Sequence, residues 1–286
     1  MSRSNTLPLV FSDLDGSLLD HNTYSFAAAL PALAKLRQLK IPVVLASSKT
    51  RAEMESIRQA MDNPHPFIVE NGAAVFLPKA LFPSCPDQAH NGGEHWTFAT
   101  IEPRAHWLAL IEDVGKEFQN QFIGFSTAGA EGIAKMTGLS LAAASAANQR
   151  GYSEPLQWLG TESNKKRFIE RLVNSGATVQ QGGRFLSVSG ACDKGRALEW
   201  LRTLYASEKL TKTAVTDIAI GDSQNDCAML EVAKTALLIR SPVHDFPDLK
   251  RTSGIIRSDA TGPAGWAQGV MQWLHEGKLL EEDSNH

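Results

Sequence analysis

The stretch Leu9-Val10-Phe11-Ser12-Asp13-Leu14-Asp15-Gly16-Ser17 constrains this chain more than any other. An apolar run leads straight into two carboxylates one residue apart, and a glycine follows so that the backbone can turn at once. The pattern reads as a buried strand that ends in a site. Side chains at i and i+2 of a strand point to the same side, so Asp13 and Asp15 would crowd like charges at the sheet's C-terminal edge unless a cation stood between them. A hard divalent cation meets that need, and Mg²⁺ takes carboxylate and backbone oxygens while keeping waters for a phosphate.

Three other stretches repeat the theme of polar groups at a strand end. Residues 41–46 are a short continuous apolar run, as in a parallel strand buried on both faces, and the run stops at Ser47-Ser48-Lys49-Thr50-Arg51. Thr50 and Glu53 already form a capping box for the next helix, which leaves Ser47 free to hold an anion with Lys49 as a cation nearby. Asp193-Lys194-Gly195 opens a helix against two local preferences. The helix dipole disfavours a cation in the first turn, and glycine is a poor helix former. Such violations are expected where a site needs the residue. Asp217-Ile218-Ala219-Ile220 then runs into Gly221-Asp222-Ser223-Gln224-Asn225-Asp226, where Asp226 also suits a helix cap. Between these, Phe67-Ile68-Val69 is a strand followed by Glu70-Asn71-Gly72, and Asn-Gly predicts a two-residue hairpin turn.

From about Ser84 the chain becomes rich in turn residues, and the strands up to 188 read as isolated rather than linked by helices: 95–101, 122–126, 178–181 and 184–188. Helices are expected over 104–118, 139–149 and 165–174. The expected fold is α/β, with a Rossmann-like doubly wound parallel sheet core from residues 1–83 and 189–286. An inserted α+β cap domain fills 84–188. Gly182-Gly183 should turn a hairpin, placing Arg184 either to grip a substrate carboxylate or phosphate with its planar fork or simply in solvent.

Together the stretches at Asp13, Ser47, Asp193-Lys194-Gly195-Arg196-Ala197-Leu198 and Gly221-Asp222-Ser223-Gln224-Asn225-Asp226 resemble the four motifs of the haloacid dehalogenase superfamily. ENGA at 70–73 resembles its Cof-type branch, and a cap inserted between the second and third motifs resembles its C2 class. The resemblance implies that Asp13 is a nucleophile, Asp15 a general acid and base, and Lys194 the third catalytic group. It implies Ser47 and Asn71 as phosphate or substrate ligands, and Asp13, Asp15 and Asp222 as ligands of Mg²⁺; Lys49 and Arg184 are further candidates for a substrate anion on their charge and place, with a solvated loop cation as the alternative for each. Asp226 would stand behind them, orienting a metal water or Lys194. SDLDGSLLD, LASSKTRAEM, ENGAAVFLP, TGLS, YSEP, GGRF and the late GPAGW together are similar to the mannosyl-3-phosphoglycerate phosphatases. Ser17 stands where many members carry Thr. The implied reaction is Mg²⁺-dependent hydrolysis of a glycosyl-3-phosphoglycerate through an aspartyl-phosphate. The alternatives are a broad-specificity sugar-phosphate phosphatase, a phosphomannomutase-like transfer, and a phosphate sensor that would lack the acid or nucleophile.

A formal net charge of -3 with no basic stripe argues against a nucleic-acid partner. No stretch approaches the roughly 20 apolar residues of a membrane span. Cys85, Cys192 and Cys227 are unevenly spaced, without CxxC or His partners, and read as free thiols of a cytoplasmic protein rather than a disulfide framework or zinc site. The expected partner is a small phosphorylated sugar or glycerate, and oligomeric state is not legible.

Overall fold

A computed structural model describes residues 6–182, 184–207 and 214–280. Strand β1 (Thr6–Ser12) is followed by helix α1 (Leu30–Gln38), β2 (Val43–Ala46), α2 (Arg51–Ala60), β3 (Phe67–Val69), β4 (Ala74–Pro78), β5 (His90–Gly92) and β6 (His95–Ala99). Next come α3 (Arg104–Gly115), β7 (Phe122–Gly124), α4 (Phe125–Thr137), α5 (Leu141–Asn148), β8 (Glu154–Trp158), α6 (Glu162–Asn174), β9 (Thr178–Gly182) and β10 (Phe185–Ser189). The chain then forms α7 (Lys194–Ala206), β11 (Ala214–Gly221), α8 (Cys227–Val232), β12 (Thr235–Arg240), β13 (Ile255–Thr261) and α9 (Gly262–Glu276).

Among the described residues the larger sheet has nine strands in the order β13-β12-β11-β1-β2-β3-β4-β6-β5. Every pairing from β13 to β3 is parallel, and β4, β6 and β5 extend the sheet antiparallel. The apolar run of β1 explains its central place. Val10 packs with Leu36, Trp266 and Trp273 on one face, while Leu9 and Phe11 pack with Leu198, Leu201 and Met229 on the other. Both faces are covered by helices, as a parallel sheet requires, and each such side chain contributes about 1.5–3 kcal/mol on burial. From β1 the chain moves outward through β2 and β3, then returns to β11 on the opposite side of β1. The C-terminal ends of β1 and β11 therefore flank a topological switch point, where open α/β sheets bind ligands.

The second sheet, β7-β8-β10-β9, is antiparallel throughout. Helices α3 and α6 cover it, with Trp107, Ile111, Phe168 and Leu172 against Leu156, Leu186 and Val188. The fold is thus a mixed α/β core with a separate α+β layer of its own.

Two expectations need correction. The change of character at residue 84 does not mark the passage to the second sheet, because β6 pairs with β4 (Phe76 opposite Thr97) and β5 with β6. The Pro- and Gly-rich segments there are turns within the large sheet's antiparallel extension. The crossing falls between β6 and α3, near residue 100. The strand expected over 122–126 also stops at Gly124, and Phe125 already begins α4. Strands β9 and β10 do form an antiparallel pair with Gly182 opposite Phe185, and Gly183 lies outside the described residues. Among the described residues no helix is long and apolar enough to cross a membrane.

Candidate active site

The strand end is fastened before the site begins. Ser12 Oγ donates to the Asp13 carbonyl at 2.7 Å and accepts from Trp266 Nε1 at 2.9 Å, while the Asp13 N–H donates to the Ile220 carbonyl at 2.9 Å. Asp13 is thereby held beside the end of β11, and it is buried. Gly16 adopts φ 80°, and a Cβ there would sit 2.6 Å from Asp222 Oδ2, so only glycine lets the first loop close on the last one.

Lys194, the first residue of α7, has no exposed surface. Its Nζ donates to Asp13 Oδ1 at 2.6 Å and to Asp226 Oδ1 at 2.7 Å. Asp226 is oriented in turn, because its Oδ2 accepts from the backbone N–H groups of Asp222 (3.1 Å) and Ser223 (3.2 Å). Two carboxylates therefore offset the unfavourable dipole position of the lysine. Burial works against the Lys194 ammonium, yet Asp13 and Asp226 hold its pKa above the ordinary lysine value.

Asp13, Asp222 and Asp226 each bring a carboxylate oxygen within 4.8 Å of the others, all buried. Burial, and then the charge of Asp226, push Asp13 well above the usual carboxylate range against the pull of Lys194. Burial and Asp226 likewise push Asp222 up to about 6. Asp222 Oδ1 is buried without a hydrogen-bond partner. Hard oxygen donors, crowded negative charge and an orphaned carboxylate oxygen fit a divalent cation such as Mg²⁺.

Asp15 departs from its expected place. Its carboxylate is not in that cluster but turns to Lys49, with Oδ2 2.8 Å from Nζ. The physical reason is that β1 ends at Ser12, so Asp13, Leu14 and Asp15 form a turn in which strand alternation no longer applies, and Leu14 is buried in the core instead. Asp226 lies within reach of the acidic cluster, but its Oδ1 accepts from Lys194 and its Oδ2 from the Asp222 and Ser223 N–H groups, which is the orienting place expected of it. For Lys49, burial lowers and Asp15 raises the pKa, with a net upward shift.

The remaining loops are chained to these. Ser47 is buried; its carbonyl accepts from Asn71 N at 2.9 Å, and its Oγ accepts from Lys49 N at 3.3 Å. Thr50 and Glu53 form the full capping box of α2. Asn71 Oδ1 accepts from Asn225 Nδ2 at 3.2 Å, tying the 70–72 loop to the one that carries Asp222 and Asp226. Arg184 is exposed, with its guanidinium 5.9 Å from the Phe185 ring; among the described residues no contact joins it to the carboxylate cluster.

The Asn-Gly pair is not a two-residue hairpin turn. Val69 pairs with Ala74, so residues 70–73 make the connection, and Glu70, Asn71 and Gly72 all take positive φ (48°, 59° and 100°). Glu70 explains the strain. Its buried carboxylate accepts from Gly151 N (2.7 Å), Tyr152 N (3.2 Å) and Ser153 Oγ (2.5 Å), and pairs with Arg150 at 3.4 Å. This clasp, with Thr50 Oγ1 donating to the Ala146 carbonyl at 2.9 Å and Arg150 Nη2 to the Ser48 carbonyl at 2.9 Å, fastens the second layer to the site loops. An added Cβ on Gly72 would overlap the Asp193 carbonyl. Gly72→Ala is therefore expected to lower stability by roughly 2–4 kcal/mol and to shift Lys194, read as a lower urea midpoint. An unchanged midpoint would refute the close approach.

Sequence reasoning missed Glu70 and also His244, whose Nε2 lies 3.5 Å from Asp222 Oδ2. His244 follows β12, so the available signal was its position beyond another C-terminal strand end of the same sheet.

Residues 10–82 match the model of a family described as haloacid dehalogenase-like hydrolase. A Methanococcoides burtonii protein named glucosyl-3-phosphoglycerate/mannosyl-3-phosphoglycerate phosphatase is 35% identical over 266 residues, 93% of this chain and 97% of that protein. One of the same name from Persephonella marina is 32% identical over 274 residues, 94% and 97% of the two chains. A solved phosphatase of the haloalkanoate enzyme superfamily from Bacteroides thetaiotaomicron shares the fold, with a TM-score of 0.62 at 17% identity over 98% of each chain. Because the likeness to named phosphatases runs through 93–94% of the chain and the Asp13 loop lies inside the matched family segment, this chain belongs to the haloacid dehalogenase-like hydrolases and is a phosphoric monoester hydrolase.

Proposed function

We propose that the enzyme hydrolyses the phosphomonoester of a glycosyl-3-phosphoglycerate, mannosyl or glucosyl, with Mg²⁺ and through an aspartyl-phosphate on Asp13. The observation that carries the reading is the buried Lys194 ammonium held between Asp13 and Asp226 beside Asp222. Three carboxylates and one ammonium leave two negative charges, which one divalent cation offsets. A phosphate dianion then enters a pocket without net repulsion. The leaving group is taken from the names of the two relatives, which cover nearly the whole chain.

Asp13 attacks phosphorus, and the bond from phosphorus to the glycerate oxygen breaks. The Asp15 carboxyl gives its proton to the departing alkoxide, and the resulting carboxylate takes a proton from the water that attacks the aspartyl-phosphate. Phosphate leaves and the Asp13 carboxylate is restored. Lys194 keeps Asp13 aimed and places its charge where negative charge builds up on the phosphoryl oxygens. Ser47, at the neighbouring strand end, is the proposed phosphate-binding hydroxyl. Asp13 and Asp222 would hold the metal, with Asp226 behind them fixing Lys194, and the metal's chemistry when bound is Lewis-acid neutralisation of the phosphoryl charge.

Chelation tests the reading. Phosphate release from mannosyl- and glucosyl-3-phosphoglycerate is expected to fall to background in EDTA and to return with added Mg²⁺. Release that persists after exhaustive chelation would overturn it, and an isomerised sugar phosphate in place of free phosphate would mark a mutase.

A further inference from the structure

We propose that Tyr24 and Lys49 together form the subsite that reads the leaving group, Lys49 taking the glycerate carboxylate and Tyr24 covering one face of the sugar. The inference rests on the substrate reading above and deepens it.

Tyr24 sits in a turn built around one side chain. Asp20 Oδ1 accepts from Asn22 N at 3.1 Å, Thr23 N at 2.8 Å and Thr23 Oγ1 at 2.8 Å. The Asp20 carbonyl accepts from Tyr24 N at 3.0 Å, and Asp20 N donates to the Ser25 carbonyl at 2.9 Å. This winding holds Tyr24 at φ 56°, a left-handed conformation that is uncommon for a bulky residue. Tyr24 stays 60% exposed. Strain of this kind persists where the surroundings over-determine it and clusters at ligand-binding segments. Here the turn's hydrogen bonds hold the Tyr24 backbone in a conformation that leaves the residue largely outside the core.

The ring does not face open solvent alone. Lys49 Nζ lies 5.7 Å from its centroid and 2.8 Å from Asp15 Oδ2, with the lysine side chain 19% exposed. Lys49 thus contacts both Asp15, the proposed acid, and the Tyr24 ring. In a glycosyl-3-phosphoglycerate the ester oxygen is on C3, the glycoside on C2 and the carboxylate is C1. The carboxylate carbon is three bonds from the oxygen that Asp15 protonates, so a cation touching Asp15 is within its reach. The sugar starts one atom beyond C2, and the ring of the exposed Tyr24 beside Lys49 is the aromatic surface proposed to receive it. Aromatic rings bury large apolar area at a binding site, and the C–H face of a pyranose is a matching apolar surface.

The test compares kcat/KM for three substrates: the glycosyl-3-phosphoglycerate, 3-phosphoglycerate without the sugar, and glycerol 3-phosphate without sugar or carboxylate. Lys49→Met is expected to lower the ratio of 3-phosphoglycerate to glycerol 3-phosphate by roughly 100-fold, as for a charged pair that loses one partner. Tyr24→Ala is expected to lower the ratio of glycosylated to unglycosylated 3-phosphoglycerate by roughly 10-fold, within the range for an apolar contact, and mainly through KM. Tyr24→Phe should retain the wild-type ratio. Equal losses on all three substrates would overturn the subsite alone, because Lys49 would then act only through Asp15 and Tyr24 only through the turn. A wild-type enzyme inert toward the glycosylated compound but active on the others would overturn the substrate reading and the subsite with it.

Discussion

Asp13→Asn is expected to lower phosphate release by at least roughly 10⁴-fold, the scale of losing the nucleophile of a covalent mechanism, while leaving the fold intact. The amide matches the carboxylate in shape but cannot form the phospho-enzyme. It also removes one of the charges that face the metal position. Burial and the neighbouring carboxylates disfavour a charge at residue 13. Metal-free wild type therefore loses stability as pH rises past the ordinary carboxylate range, because the unfolded chain releases that proton more readily than the folded one. The neutral amide removes this loss, so the metal-free variant should melt at or above the wild-type temperature at neutral pH and gain less from added Mg²⁺. Calorimetry with and without Mg²⁺, beside single-turnover kinetics, separates the effects. Full activity in the variant would end the mechanism, and a melting temperature well below wild type would show that Asp13 is mainly structural.

Lys194→Met should cost both activity and stability. Methionine fills the lysine channel, yet it leaves Asp13 and Asp226 buried without the ammonium that now bridges them at 2.6 and 2.7 Å. Removing one partner of a buried ionic group costs about 3–5 kcal/mol. The neighbouring carboxylates raise the lysine's folded-state pKa above its ordinary value despite burial. Its contribution to stability is therefore complete below that ordinary value and is lost only as pH rises through the folded-state pKa. At neutral pH the whole effect should be visible as a lower urea midpoint. Mg²⁺ binds the folded carboxylates and not the unfolded chain, so it should restore part of the loss. Arginine is not expected to substitute, because its planar fork needs room that a fully buried site lacks. An unchanged midpoint in Lys194→Met would show that the three carboxylates do not depend on the ammonium.

The legible parts of the site were those where a local rule is either obeyed or broken within a few residues. Apolar runs ending in Asp13, Ser47 and Asp222 announced strand ends, and Thr50 with Glu53 announced a capping box that the structure contains in full. Lys194 stood out by violating helix-start preferences, and its two carboxylate partners are the reason for the violation. Less was legible where a residue's role is set by a distant partner. Glu70 looked like part of an ordinary turn, but its ligands lie at residues 150–153. His244 had no local mark, and its contact is with Asp222.

The order of polar and apolar residues alone determined that several strands would end in charged loops, that these strands would be parallel and buried on both faces, and that a second α+β layer would interrupt them. It could do so because hydrophobic periodicity and chain turns act over a few residues. Only the tertiary structure decided that β5 and β6 join the large sheet, that Asp15 stands outside the acidic cluster, and that it turns instead to Lys49. Each of these depends on which edge a strand finds free and which way a side chain leaves a turn. Such outcomes follow from packing between segments far apart in the chain, and no short stretch encodes them.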